Sequence, residues 1–251
     1  YKSFSSNEEG VIAPFVLNHI ALPESVADNV AHLQAWKQFF DGDGFLYDYH
    51  YMWAHHRDAG GYQIAGVLYD DLVNLPKLGL NGLVSCQVQR AMFPNALGIT
   101  VMAKALWGGE SFEEIACKYM ASLYGVYAGY IGEYLKELSA LSTDLDLEHP
   151  KNIDIKKSQI AERIIEITAE MIESVQHTDF SMLPIANTFL CAHAKLWNAL
   201  GKVLMHMHRG EEDLKNKAWD DARRILWQME DETEMGLDCF NFDRTFHKIF
   251  E

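Results

Sequence analysis

Phe45–Tyr51 reads FLYDYHY, directly after the turn Asp41-Gly42-Asp43-Gly44. Aromatic residues dominate it, its length suits a strand, and glycine punctuates its start. Working outward, Ser25–Phe40 carries Val26, Val30, Leu33, Trp36, Phe39 and Phe40 at helical spacing. Before it, Val11–Asn18 (VIAPFVLN) is a short apolar run that predicts a buried strand. After it come a helix over Tyr62–Leu78, closed by Gly79, a strand over Gly82–Gln87 (GLVSCQ) and a helix over Ala96–Trp107. Strands alternating with helices imply parallel pairing through right-handed crossovers, so Phe45–Tyr51 and Gly82–Gln87 are expected side by side.

Beyond Gly108 the strand signals stop. Ser111–Tyr124, Tyr127–Leu141, Ile155–Gln176, Ile185–Met207 and Leu214–Met229 all read as helices. Ser111-Phe112-Glu113-Glu114 has the form of a capping box. The acidic, proline-containing stretch Asp144–Lys151 is the clearest internal boundary. Three βα units are too few for a closed barrel, which needs eight strands. Either further strands precede them or they form a small open sheet. Chain edges left by a cut barrel favour self-association through Val11–Asn18, or a longer parent chain.

Hydrophobic residues make up 49% of the 251, enough for a sizeable core. The net charge of −15 argues against nucleic acid and anionic membranes as partners. No apolar run reaches the roughly 20 residues of a membrane helix. Cys86, Cys117, Cys191 and Cys239 form no metal-binding spacing, and apolar neighbours of the first three favour reduced core thiols, which suits a cytoplasmic setting. His206 and His208 (MHMH) are two residues apart and point different ways on a helix, so no metal is expected there. No cofactor motif is present. Trp197, Trp219 and Trp227 sit at helical spacing among apolar residues and are expected in the core.

Several stretches carry a resemblance. They are YDYHYMW (Tyr47–Trp53), DDLVNLPKLGLNGLVSCQ (Asp70–Gln87), FPNALGITVMAKALW (Phe93–Trp107) and SFEEIACKYMASLYG (Ser111–Gly125). Together, Val11 to Gly125 resembles the end of the barrel in a bacterial family of unknown function, glycoside-hydrolase-like (β/α) barrels related to alpha-glucuronidases. The resemblance implies an α/β fold made of the last three βα units of a TIM-like barrel (residues 1–109). A mostly α-helical carboxyl-terminal region follows (residues 110–251). It also implies a saccharide bound or hydrolysed at the carboxyl ends of the strands.

Those ends supply the candidate residues. Asn18 and His19 follow the first strand. Asp48, Tyr49, His50 and Trp53 end the second, with His55, His56 and Arg57 beyond. Gln87 and Arg90 follow the third. Alternation puts Asp48 and His50 on one face and Tyr47, Tyr49 and Tyr51 on the other. Asp48 and His50 are the catalytic candidates, as acid or base and as proton carrier. Asn18, His19, Tyr49, Trp53, His55, Gln87 and Arg90 are candidates for holding substrate, Trp53 by stacking on a sugar face. The structural alternatives are that Asp48 caps a loop or pairs with Arg57, that Trp53 is core, and that Arg90 lies in a surface ion pair. Asp70 and Asp71 are expected on the solvated side of their helix. A glycosidase needs a second carboxyl group across the bond, and only Asp48 stands at a strand end. The competing function is therefore a non-catalytic carbohydrate-binding or assembly fragment dominated by its helices. An open cleft shared by Asp48, His50 and Gln87 would favour catalysis.

Overall fold

The computed structural model describes residues 26–147, 153–180 and 182–250. Within them Leu46–Asp48 (β1) and Leu83–Ser85 (β2) pair in parallel, with Leu46 opposite Leu83, Tyr47 opposite Val84 and Asp48 opposite Ser85. The expected adjacency of these two segments therefore holds.

The barrel does not. Among the described residues the sheet has two strands of three residues each, and the rest is mostly helix. Barrel strands are buried on both faces. Here Tyr47 and Val84 are exposed while Leu46 and Asp48 are buried, so the sheet is covered on one side. The expected strand also ends early. Met52 N donates to the Tyr49 carbonyl and His56 N to the Trp53 carbonyl, which turns the chain into a 3-10 helix at Ala54–Arg57. The expected strand Val11–Asn18 lies outside the described residues.

The helices follow the apolar spacing closely. They are α1 (Val26–Lys37), α2 (Tyr62–Asn74), α3 (Leu97–Trp107), α4 (Phe112–Tyr124) and α5 (Ala128–Leu145). Then come α6 (Ile155–His177), α7 (Pro184–Arg209), α8 (Glu212–Gln228), the short α9 (Glu230–Thr233) and α10 (Cys239–Phe250). The predicted second helix is cut at Asn74. Pro76 cannot donate into an α-helix, so Leu75–Leu78 continues as a 3-10 turn closed by Gly79 at φ 65°. The Ser111–Glu114 capping box forms as expected and starts α4. Helix α10 was not anticipated, although Cys239, Phe242, Phe246, Ile249 and Phe250 give it a buried stripe.

Two apolar clusters result. The smaller joins β1, α2 and the segments around β2 through Leu46, Tyr51, Leu68, Leu72 and Val88. The larger is helical. Helix α7 packs against α6 and α8, and its Leu196, Trp197, Leu200 and Val203 are buried together with Trp219 of α8 and Phe246 of α10. Ala65 of α2 and Leu97 and Val101 of α3 join this larger cluster. Two expectations about the core fail: Trp227 and Cys117 are exposed, so each lies on the solvent side of its helix.

The loop entering α2 is docked on α5. Ser142 Oγ accepts from Ala59 N and Ser139 Oγ from Tyr62 N, each at 3.0 Å. A Cβ on Gly60 would stand 1.8 Å from the Leu135 carbonyl oxygen, and backbone cannot yield to that. Gly60→Ala is expected to cost about 2–3 kcal/mol through forced separation of loop and helix. A urea titration reads this directly. An unchanged midpoint would show that the loop does not sit against α5.

Candidate functional site

β1 sorts its side chains by alternation. Asp48 and His50 point inward and are 3% and 2% exposed. They face α2, not an open cleft. His50 Nδ1 is hydrogen-bonded to Asp48 Oδ1, and His50 Nε2 lies 3.2 Å from Oδ2 of Asp71. The Asp48 carboxylate also accepts from the His50 backbone N–H and, at its other oxygen, from Ser85 Oγ, both at 3.1 Å. Asp71 is buried, contrary to the solvated position expected of it. It occupies the helix face of Ile64, Leu68 and Leu72. A charged residue on an apolar stripe needs a partner in the core, and His50 is that partner.

This placement corrects the expected geometry. Asp48, His50 and Gln87 do not share a cleft, since Gln87 is exposed while the other two are buried. The ladder bonds around Gln87 run from Cys86 N to the Asp48 carbonyl and from Val88 N to the Tyr51 carbonyl. Arg90 is half-buried, and its charge acts at the Cys239 thiol, which burial drives up to about 11. Asn18 and His19 lie outside the described residues.

His55 and His56 are buried, with rings 3.8 Å apart. His56 Nε2 lies 2.9 Å from Oδ1 of Asn241 on α10, and burial holds this ring down to about 4. Burial first, then the neighbouring His56, keeps His55 well below the usual imidazole range. His193 of α7 is also held down to about 4 by burial, with Nε2 2.6 Å from the Ala59 carbonyl oxygen. These rings are neutral packing elements that tie the segment after β1 to α7 and α10. His206 pairs with Glu211 at 2.5 Å and His208 is buried, so MHMH is divided between a surface contact and the core.

The outward set is aromatic. Tyr47, Tyr49 and Trp53 are 38%, 44% and 47% exposed. Tyr47 and Tyr49 have ring centroids 5.2 Å apart, and Tyr49 and Trp53 are stacked at 6.2 Å with 26° between their planes. The neighbouring thiol of Cys86, on the segment after β2, raises the pKa of the Tyr47 phenol. Tyr51 breaks the series: it is buried, and its ring lies 5.2 Å from His55. The result is a continuous aromatic ledge from β1 to the start of the 3-10 helix, backed by the polar cluster beneath β1.

Asp58 was not singled out in the sequence. Its carboxylate accepts from Gly60 N, Gly61 N and Ile64 N, the last at 2.7 Å, and burial pushes its pKa up. Those bonds fix the start of α2. It lines a cleft of about 200 Å³ with Arg57, Ser142, Thr143 and Asp146. Among the described residues no group of His, Cys, Asp or Glu is arranged to hold a metal ion, and no helix is long and apolar enough to cross a membrane.

No family model, curated protein or solved structure matches the chain.

Proposed function

We propose that the protein binds a saccharide on the ledge of Tyr47, Tyr49 and Trp53. One observation carries this reading: Tyr49 and Trp53 stack on each other while each stays nearly half exposed. Large rings are normally drawn into the core, and exposed apolar patches mark places where something docks. Pyranose rings offer apolar C–H faces of matching size, and tyrosine and tryptophan add a hydroxyl or N–H for the sugar's rim.

Binding is favoured over hydrolysis. A glycosidase flanks the scissile bond with two carboxyl groups. Asp48 and Asp71 are both buried with His50 on the other side of β1 from the ledge.

Calorimetric titration with malto-, cello- and xylo-oligosaccharides tests the reading. At least one series is expected to bind. Tyr49→Ala and Trp53→Ala are each expected to weaken that binding about tenfold, equivalent to about 1.4 kcal/mol. Absence of binding across the three series, or equal affinity in both variants, would remove the ledge from consideration.

A further inference from the structure

Beside the ledge, a small cleft of about 210 Å³ opens between Trp53 and Arg57 on one side and α10 on the other. Pockets for whole drug-sized ligands begin at roughly 300 Å³, so this one suits a single substituent. Its lining is basic. Arg57, Arg244 and Lys248 contribute three cationic side chains, Asn241 an amide and Trp53 an apolar wall. Among the described residues that line it there is no carboxylate, although the chain as a whole carries a net charge of −15.

Two features make this more than a chance meeting of surface charges. Arg244 and Lys248 stand four residues apart on α10, so they share a helix face directed at the cleft. Among the described residues neither has an ion-pair partner, whereas Arg223 nearby holds Asp243 of the same helix through two bonds of 2.9 Å. Asn241 is also pre-set. Its Oδ1 is engaged by His56 Nε2, which leaves its amide N–H groups as the remaining donors.

We infer that this cleft holds a phosphate group carried by the saccharide on the ledge. The sugar part rests on the ledge reading, while the anion part stands on the cleft alone. A phosphate monoester brings nearly two negative charges and three acceptor oxygens, which Arg244, Lys248 and the Asn241 amide can meet together. A carboxylate has one charge and two oxygens, and a single guanidinium fork satisfies it. Trp53 belongs to both surfaces, so a ring stacked on the ledge places a substituent at the cleft mouth.

The test titrates the full chain calorimetrically with inorganic phosphate, glucose and glucose 6-phosphate at low ionic strength. The comparison variant is Arg244→Gln/Lys248→Gln, two exposed positions that leave the buried stripe of α10 intact. Inorganic phosphate is expected to bind the parent protein, and the variant about tenfold or more weakly, the scale of losing charge-assisted hydrogen bonds. Glucose 6-phosphate is expected to bind more tightly than either glucose or phosphate alone. Equal phosphate affinity in parent and variant, or no phosphate binding at all, overturns the cleft, and oligosaccharide binding that still depends on Trp53 would then leave the ledge standing. Phosphate binding that needs Arg244 and Lys248 but gains nothing from the attached sugar overturns the link to a saccharide and leaves a site for free phosphate.

Discussion

Replacing His50 by alanine is expected to cost about 1–3 kcal/mol of folding stability, the range for leaving a buried polar group without its hydrogen-bond partner. The ring stands between the carboxylates of Asp48 and Asp71, all three side chains being nearly inaccessible. Taking it away leaves two acidic groups in the core without the group that separates them. The loss should show as a lower denaturation midpoint with an unchanged slope, since the surface exposed on unfolding stays the same. A second comparison isolates the cause. Removing charge throughout, with Asp48→Asn, His50→Gln and Asp71→Asn combined, should cost less than His50→Ala alone, because no buried carboxylate remains. A loss below about 0.5 kcal/mol in His50→Ala would place the residue among ordinary surface positions and break the account of β1.

Acid should weaken the fold well before its exposed carboxylates titrate. His55, His56 and His193 are buried and neutral, the latter two held down to about 4 by desolvation. An unfolded histidine takes up its proton near pH 6.5. As pH falls from about 6.5 toward 4 the unfolded chain gains protons that the folded one refuses, so stability falls over that window. Each fully buried ring is expected to contribute a loss of up to about 3 kcal/mol by pH 4. Asp58 acts in the opposite sense, because its raised pKa favours the folded state as pH drops. It is one group against three. Chemical denaturation at pH 7.5, 6 and 5 should therefore give successively lower stability. His193→Gln keeps a donor for the Ala59 carbonyl without a titrating ring, and should flatten that slope. A stability independent of pH from 7.5 to 5 would show that these rings are not held neutral.

Much of the helical half was legible in the sequence, because apolar residues at helical spacing leave little choice about which face is buried. The stripe of α7 and the Ser111–Glu114 cap are cases where local pattern and final structure agree. The parallel pairing of β1 with β2 was legible too, since an intervening helix leaves few ways to place the second strand. The orientation of β1 was not. Period-two alternation separates Asp48 and His50 from Tyr47 and Tyr49, but does not say which set faces the core. Cost of burial argued for aromatic residues inside and charged ones at a cleft. The structure inverts this because the polar side chains satisfy one another, and the partner that makes it possible, Asp71, comes from another element. Asp71 could have been found on the stripe of Ile64, Leu68 and Leu72. The cleft beside Trp53 could not, because Arg244 and Lys248 reach it only through the packing of α10.

The most direct measurement sets Trp53→Ala against Asp48→Asn in the same oligosaccharide titration, with circular dichroism to confirm that each variant is folded. If the ledge is the binding surface, Trp53→Ala loses affinity about tenfold while folded Asp48→Asn binds like the parent, because Asp48 lies beneath the sheet. Binding abolished by Asp48→Asn and untouched by Trp53→Ala would contradict the account and place the site on the polar face of β1.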